Sequence, residues 1–167
     1  MRWTTHQVGA VGLALILKLP AAGILAAALG GILPDLIDQR IAGCFHRRQQ
    51  AFNRIHRGFT HWPGLWLGLL ALALALIPPQ FSAIAGPFAL GLAAGGLSHV
   101  VLDMLTPQGI PLLPFTRRGR VSLKLCHTGG LGEWLFLAAM LAGLAFWFRE
   151  SLAARGLAAT LKGMLGL

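Results

Sequence analysis

The chain has 167 residues, the length of one compact domain rather than two. It is 56% hydrophobic and only 11% charged, with a mean hydropathy of +0.69; soluble domains carry about 25% charged residues, so a water-soluble globule and a disordered chain are both excluded and an integral membrane protein remains. Two cysteines, Cys44 and Cys126, are too few for a disulfide-stapled mini-protein, and the net charge of +9 reads as basic loops beside membrane helices rather than a nucleic-acid surface.

The first apolar stretch, residues 8–33, is interrupted by Lys18 and Pro20. A proline inside a helix costs about 3 kcal/mol, and a lysine at mid-membrane is also costly. Both penalties vanish if the stretch is two short helices, 5–17 and 21–33, joined by a turn at a membrane face. Arg2, the apolar run and Ala26-Ala27-Ala28 imitate a signal peptide, but the segment is read as a retained helical pair. A basic loop, 39–57, follows. It carries Arg40, Arg47, Arg48, Arg54 and Arg57, with no acid.

A second, short apolar stretch covers residues 62–77 and stops at Pro78-Pro79. An uncharged turn at 78–80 leads to a third stretch, 81–105, long enough to cross a bilayer. Its small-residue face, Gly91 to Gly96, suits close helix packing. A second acid-free basic loop, 106–128, holds Arg117, Arg118, Arg120 and Lys124. The fourth stretch, 131–148, is another span, and the tail 151–167 reads as a surface-lying amphipathic helix. The expected architecture is all-α: a single membrane-embedded domain, residues 1–167, with about five short helices and that C-terminal helix. Both basic loops then fall on one side, which the positive-inside bias makes cytoplasmic in an inner (plasma) membrane, with Trp3, Trp62, Trp66 and Trp134 as interfacial anchors.

The polar residues embedded in this pattern are the informative ones. His6, Asp35, His56, His61, His99, Asp103 and Glu133 all fall at the same membrane face in the hairpin topology. His99 and Asp103 are four apart on one helix, about 40° in direction, so both side chains can reach one ion; they can equally pair with each other or with a neighbouring helix. His56 and His61 point about 140° apart on a continuous helix, but a bend at Gly58 would turn both inward. Asp38 reads as a helix cap, and Glu133 and His6 as either ligands or helix-terminal polar groups. Cys44 with His46 and Cys126 with His127 form a weaker rival set, because the spacings are not those of a zinc finger. A transporter would string its acids and histidines across the membrane; here they cluster at one end.

Several of these residues lie in specific motifs: His6, Leu33-Pro34-Asp35, His56-Arg57-Gly58-Phe59-Thr60-His61, the run Ser98-His99-Val100-Val101-Leu102-Asp103-Met104-Leu105-Thr106-Pro107-Gln108-Gly109 continuing to Leu113, and Gly130 to Glu133. In these the chain resembles the bacterial and archaeal membrane-bound, metal-dependent hydrolases, the YdjM-like inner-membrane proteins. That family is distantly similar to the all-helical zinc phospholipase C and single-strand nuclease superfamily. The resemblance implies His6, Asp35, His56, His61, His99, Asp103 and Glu133 around two or three divalent ions, zinc first and manganese as the alternative. It also implies a phosphate-ester substrate, either a lipid or a phosphorylated metabolite. On that reading Asp35 is both a ligand and the acceptor of the water's proton, and Arg57 holds a phosphate oxygen. The family's Asp-x-Asp is replaced here by Asp35-x-x-Asp38, and the soluble relatives' His-x-x-x-Glu has no match at His127. The competing expectation is a non-catalytic metal-binding membrane protein.

Overall fold

The computed structural model describes residues 1–76, 84–116 and 119–165, without side chains for 76 and 152–165, and within these the fold is helical apart from one two-residue strand pair. Helix α1 (Trp3–Ile16) ends at the turn expected around Lys18. Lys18 adopts φ 55°, its N–H donates to Leu15 O, Leu19 N–H donates to Ala14 O, and Pro20 then caps α2 (Ala21–Gly30). Helix α2 stops at Gly30, short of the expected 33. Pro34 has no N–H and its ring would clash with the carbonyl four residues back, so the chain restarts as α3 (Leu33–Gly43), bent 47° from α2, with Pro34 in the first turn.

The expected basic loop 39–57 is mostly helix: the rest of α3, then α4 (Arg48–Ile55). Arginine, glutamine and alanine are strong helix formers, and Gln49 Nε2 donates to Asn53 Oδ1 one turn on. A 3-10 turn (Phe59–His61) leads into α5 (Pro63–Leu76), and α6 (Ala85–Met104) follows. The second basic loop contains a short antiparallel pair, β1 (Ile110–Pro111) with β2 (Arg120–Val121), in which Ile110 faces Val121. The uncharged turn expected at 78–80, and Arg117 and Arg118, lie outside the described residues.

The expected separate surface helix 151–167 is instead the continuation of α7 (Leu131–Leu165), with no break after the span. Arg149, Glu150, Ala153 and Ala154 are helix formers, and neither a proline nor a cap interrupts them. The amphipathic face proposed for that tail lies outside the described residues. Helix α6 and residues Leu131–Ser151 of α7 are each long and apolar enough to cross a membrane, and the bent pairs α2–α3 and α4–α5 bring the number to four if each pair is one span. Helix α1, at 14 residues, reaches only about 21 Å, less than a bilayer's hydrocarbon thickness of about 30 Å.

Helix α6 is the centre of the bundle. Its glycines meet α2 backbone to backbone: a Cβ at Gly91 would sit 2.0 Å from the Gly23 carbonyl oxygen, and one at Gly95 2.2 Å from that of Ala27. The expected small-residue face is therefore used inside the chain. Trp66, expected as an interfacial anchor, is instead buried with Val100 and Ile110, and its indole N–H donates to Thr60 O at 2.8 Å. The starts of α1 and α3, the 3-10 turn and the last two turns of α6 meet at one end of this bundle.

Candidate metal centre

Helix α6 presents His99 and Asp103 one turn apart on its inner side, both fully buried. His99 Nδ1 lies 2.7 Å from the carbonyl oxygen of Gly31, which can only accept, so Nδ1 carries the proton and Nε2 is left as a lone pair facing inward. That Nε2 is 3.2 Å from His61 Nε2, 3.6 Å from Asp35 Oδ1 and 3.7 Å from Asp103 Oδ2. His6 comes from α1 and stacks on His99, with ring centroids 3.7 Å apart, placing its Nε2 3.4 Å from Asp103 Oδ1.

The 3-10 turn delivers His61 from the opposite side. Its Nε2 points inward, 3.3 Å from Asp35 Oδ1 and 3.5 Å from Asp103 Oδ2. Its Nδ1 points outward to Thr60 Oγ1 at 3.0 Å and Asp38 Oδ2 at 3.6 Å. His56 lies half-buried at the rim, with Nδ1 3.6 Å from Asp35 Oδ1 and 3.3 Å from Asp38 Oδ2. The bend between these two histidines is where sequence spacing places it, at Arg57 and Gly58, with Arg57 itself at φ 57°.

Two groups of three result, His6–His99–Asp103 and Asp35–His56–His61, each with donor atoms within 4.8 Å of one another. Imidazole and carboxylate together suit zinc and manganese. The fit is supported by atoms that the protein leaves unpaired: both ring nitrogens of His6 and Asp35 Oδ1 are buried without a hydrogen-bond partner. A buried unpaired acceptor costs about 1–3 kcal/mol, a penalty that coordination to a cation would remove.

Six of the seven expected ligands are thus brought together. Glu133 is not. Its Oε1 accepts from Arg2 N–H at 2.5 Å and Thr5 Oγ1 at 2.8 Å, and its Oε2 accepts from Gly129 N–H at 2.5 Å. It fastens the start of α7 to the start of α1, and its carboxylate is taken up by donors from those two ends. Arg57 also departs from expectation. Instead of facing an incoming phosphate, its guanidinium is buried, donating to Asp103 Oδ1 at 2.9 Å, Thr106 Oγ1 at 2.7 Å and the Gly109 carbonyl at 3.4 Å. The Met1 amino group reaches the same Asp103 oxygen at 2.6 Å. These cations hold one oxygen of Asp103 and leave the other facing His61 and His99.

Asp38, read from sequence as a cap, is a positioning residue. It is 2% exposed in the second turn of α3, accepts from Thr60 Oγ1 at 2.7 Å and Arg57 N–H at 3.2 Å, and braces the rings of both His56 and His61. Its signal was the three-residue spacing from Asp35, which places the two on one helix face. Trp3, expected as an interfacial anchor, turns its indole N–H to Asp35 Oδ2 at 3.1 Å. Cys44 is exposed and Cys126 buried, and neither belongs to a candidate metal group among the described residues. Burial, reinforced by the nearby Glu133 carboxylate, pushes the Cys126 thiol up.

A family model described as YdjM inner membrane protein matches residues 1–165 of the chain. The chain is similar to inner membrane protein YdjM of Escherichia coli K12, at 33% identity over 134 residues, 76% of this chain and 66% of that protein; it thus spans a little less than two thirds of the relative's length. It is also similar to the uncharacterized protein YvsG of Bacillus subtilis, at 29% identity over 77% of this chain and 79% of that protein. No solved structure matches it.

Proposed function

The chain belongs to the YdjM inner membrane protein family, and from that premise we propose that it is a membrane-bound, metal-dependent hydrolase acting on phosphate esters at the cytoplasmic membrane face. The observation that carries this reading is the meeting of two His/Asp groups, joined where His99 Nε2 lies 3.2 Å from His61 Nε2 and 3.6 Å from Asp35 Oδ1, with buried unpaired atoms on His6 and Asp35. His6, His99 and Asp103 would hold one divalent ion, and Asp35, His56 and His61 a second. When bound, such a pair supplies Lewis acidity at the phosphoryl oxygens and lowers the pKa of water to about 7.

The chain's own residues do the rest. Gly31 fixes the tautomer of His99, and Thr60 with Asp38 fixes the plane of His61. Arg57 holds Asp103 in one rotamer. Asp35, whose Oδ2 accepts from the Trp3 indole and whose Oδ1 faces the histidines, would act both as a ligand and as the acceptor of the attacking water's proton. The phosphate-ester class rests on the resemblance to the phospholipase C superfamily and on the basic helix α4 beside the site, which favours anions. The complete burial of His6 and His99 favours one second reading, a closed structural metal site without turnover.

Elemental analysis of detergent-purified protein, with p-nitrophenyl phosphate turnover measured alongside, separates these readings. The expected result is about two equivalents of zinc or manganese, lost together with turnover in His99→Ala/Asp103→Ala. Metal without turnover would select the structural site. Protein that stays folded and metal-free after metal is supplied would sink both.

The orientation is testable through Cys44, exposed just beyond α3. A membrane-impermeant maleimide should label Cys44 in inverted vesicles and not in intact spheroplasts. Cys126, buried and with its thiol pushed up, should stay unlabelled in both. Labelling of Cys44 in spheroplasts would place the site on the other face.

A further inference from the structure

A cavity of about 490 Å³ lies between α3, α4, the 3-10 turn and the segment before β2. That volume is within the range of about 300–1,000 Å³ usual for ligand pockets. Its walls are hydrocarbon: Ile41, Ile55, Phe59, Leu65 and Phe115. Asp38 and Thr60, the residues that brace His56 and His61, also line it. The exposed Arg54 stands at the rim.

The geometry points to this cavity as the binding site for the hydrocarbon chain of a lipid phosphate, whose headgroup would sit at the Asp35–His56–His61 group. The inference rests on the hydrolase reading for the fate of the headgroup, though not for the docking itself. A polar metabolite would have to press its hydroxyls against hydrocarbon walls without partners, which is unfavourable. An amphiphile matches this lining: its chain would lie along the isoleucines and phenylalanines, and its phosphate would lie toward the histidine group that Asp38 and Thr60 contact, with Arg54 as the cation in the lining.

Phe115 supports a dedicated wall. It is 84% exposed and takes φ 60°, a backbone conformation that a bulky residue rarely adopts. It is held there by stacking on Phe59, with ring centroids 4.9 Å apart and planes 4° from parallel. The neighbouring α5 carries exposed apolar side chains, Leu67, Leu69 and Leu72, the kind of surface along which a membrane lipid would reach the cavity.

The test uses full-length, zinc-loaded protein in phosphatidylcholine nanodiscs. The probe is phosphatidic acid carrying a diazirine in its chain, and crosslinked peptides are mapped in wild type and in Ile41→Trp, which fills the cavity from α3. The expected result is labelling of peptides containing residues 41, 55, 59, 65 and 115, lost in Ile41→Trp while bound metal and p-nitrophenyl phosphate turnover persist. In the same variant KM for dodecyl phosphate should rise about tenfold or more with kcat little changed. Labels spread along α5 and α7 and indifferent to Ile41→Trp would overturn the proposal, as would equal loss of dodecyl and p-nitrophenyl phosphate hydrolysis with metal retained. Cavity labelling that is lost in Ile41→Trp, in protein that hydrolyses neither phosphate, would uphold lipid-phosphate docking and remove the hydrolase reading alone.

Discussion

Replacing His61 by alanine should strip metal from both groups at once. Its Nε2 lies 3.3 Å from Asp35 Oδ1, 3.2 Å from His99 Nε2 and 3.5 Å from Asp103 Oδ2, so it stands at the seam between the two sets of ligands. Outer partners of a metal ligand are typically worth about 10–100-fold in affinity or activity, and a residue at the seam should exceed that. Metal content of His61→Ala should fall toward zero and phosphatase turnover should drop about 100-fold or more. Substitutions at the half-buried His56 touch one group only and set the scale for comparison. Thermal unfolding in chelator separates lost coordination from lost fold. If His61→Ala melts where the wild-type apoprotein does yet binds no metal, coordination was lost; if it keeps full metal, His61 is not a ligand.

Gly95→Ala should destabilise the bundle more than its chemistry suggests. On an exposed helix surface the change would help, since alanine is favoured over glycine by about 1 kcal/mol. Here the new Cβ would stand 2.2 Å from the Ala27 carbonyl oxygen, a backbone atom inside a neighbouring helix. Overpacking of this kind costs about 1–3 kcal/mol, so the steric term outweighs propensity. The strain is not local. Pushing α2 off α6 draws the Gly31 carbonyl away from His99 Nδ1, so the variant that folds should also bind metal more weakly. Thermal unfolding in detergent checks the first effect and metal titration the second. Gly143→Ala and Gly68→Ala, whose added Cβ atoms meet nothing within 4 Å, are the controls and should be neutral or slightly stabilising. A Gly95→Ala melting point at or above wild type would show that the helices can separate freely.

What was legible in the sequence follows from how far each signal reaches. The pairing of His99 with Asp103 is a one-turn relation on a single helix, so spacing alone places both on one side. The turn at Lys18 was legible because two independent penalties, a mid-span proline and a mid-span lysine, pointed to the same place. The placement of Glu133 was not legible because its partners, Arg2 and Thr5, lie at the far end of the chain, and an acid at a helix start looks the same whether it holds an ion or an amide. Arg57, a cation in a basic loop, was expected to hold a phosphate oxygen. Only its left-handed backbone and burial reveal a side chain turned inward onto Asp103. Trp66 was misread for a similar reason, since indole at the edge of a span fits an interface or a core and only the neighbouring Gly96 leaves room for it inside.

The burial of the polar cluster bears on which ion it would admit. His6, His61 and His99 are fully enclosed and Asp103 is 1% exposed. An ion reaching these atoms must arrive without most of its water. Magnesium dehydrates reluctantly and prefers an octahedron of oxygens, whereas zinc readily exchanges water for imidazole at low coordination number. An ion held at this enclosed, histidine-rich end would have to trade its water for imidazole, and the trade would be repaid for zinc, which bonds nitrogen strongly, and not for magnesium, which keeps its oxygens: seclusion would turn ligand softness into selectivity.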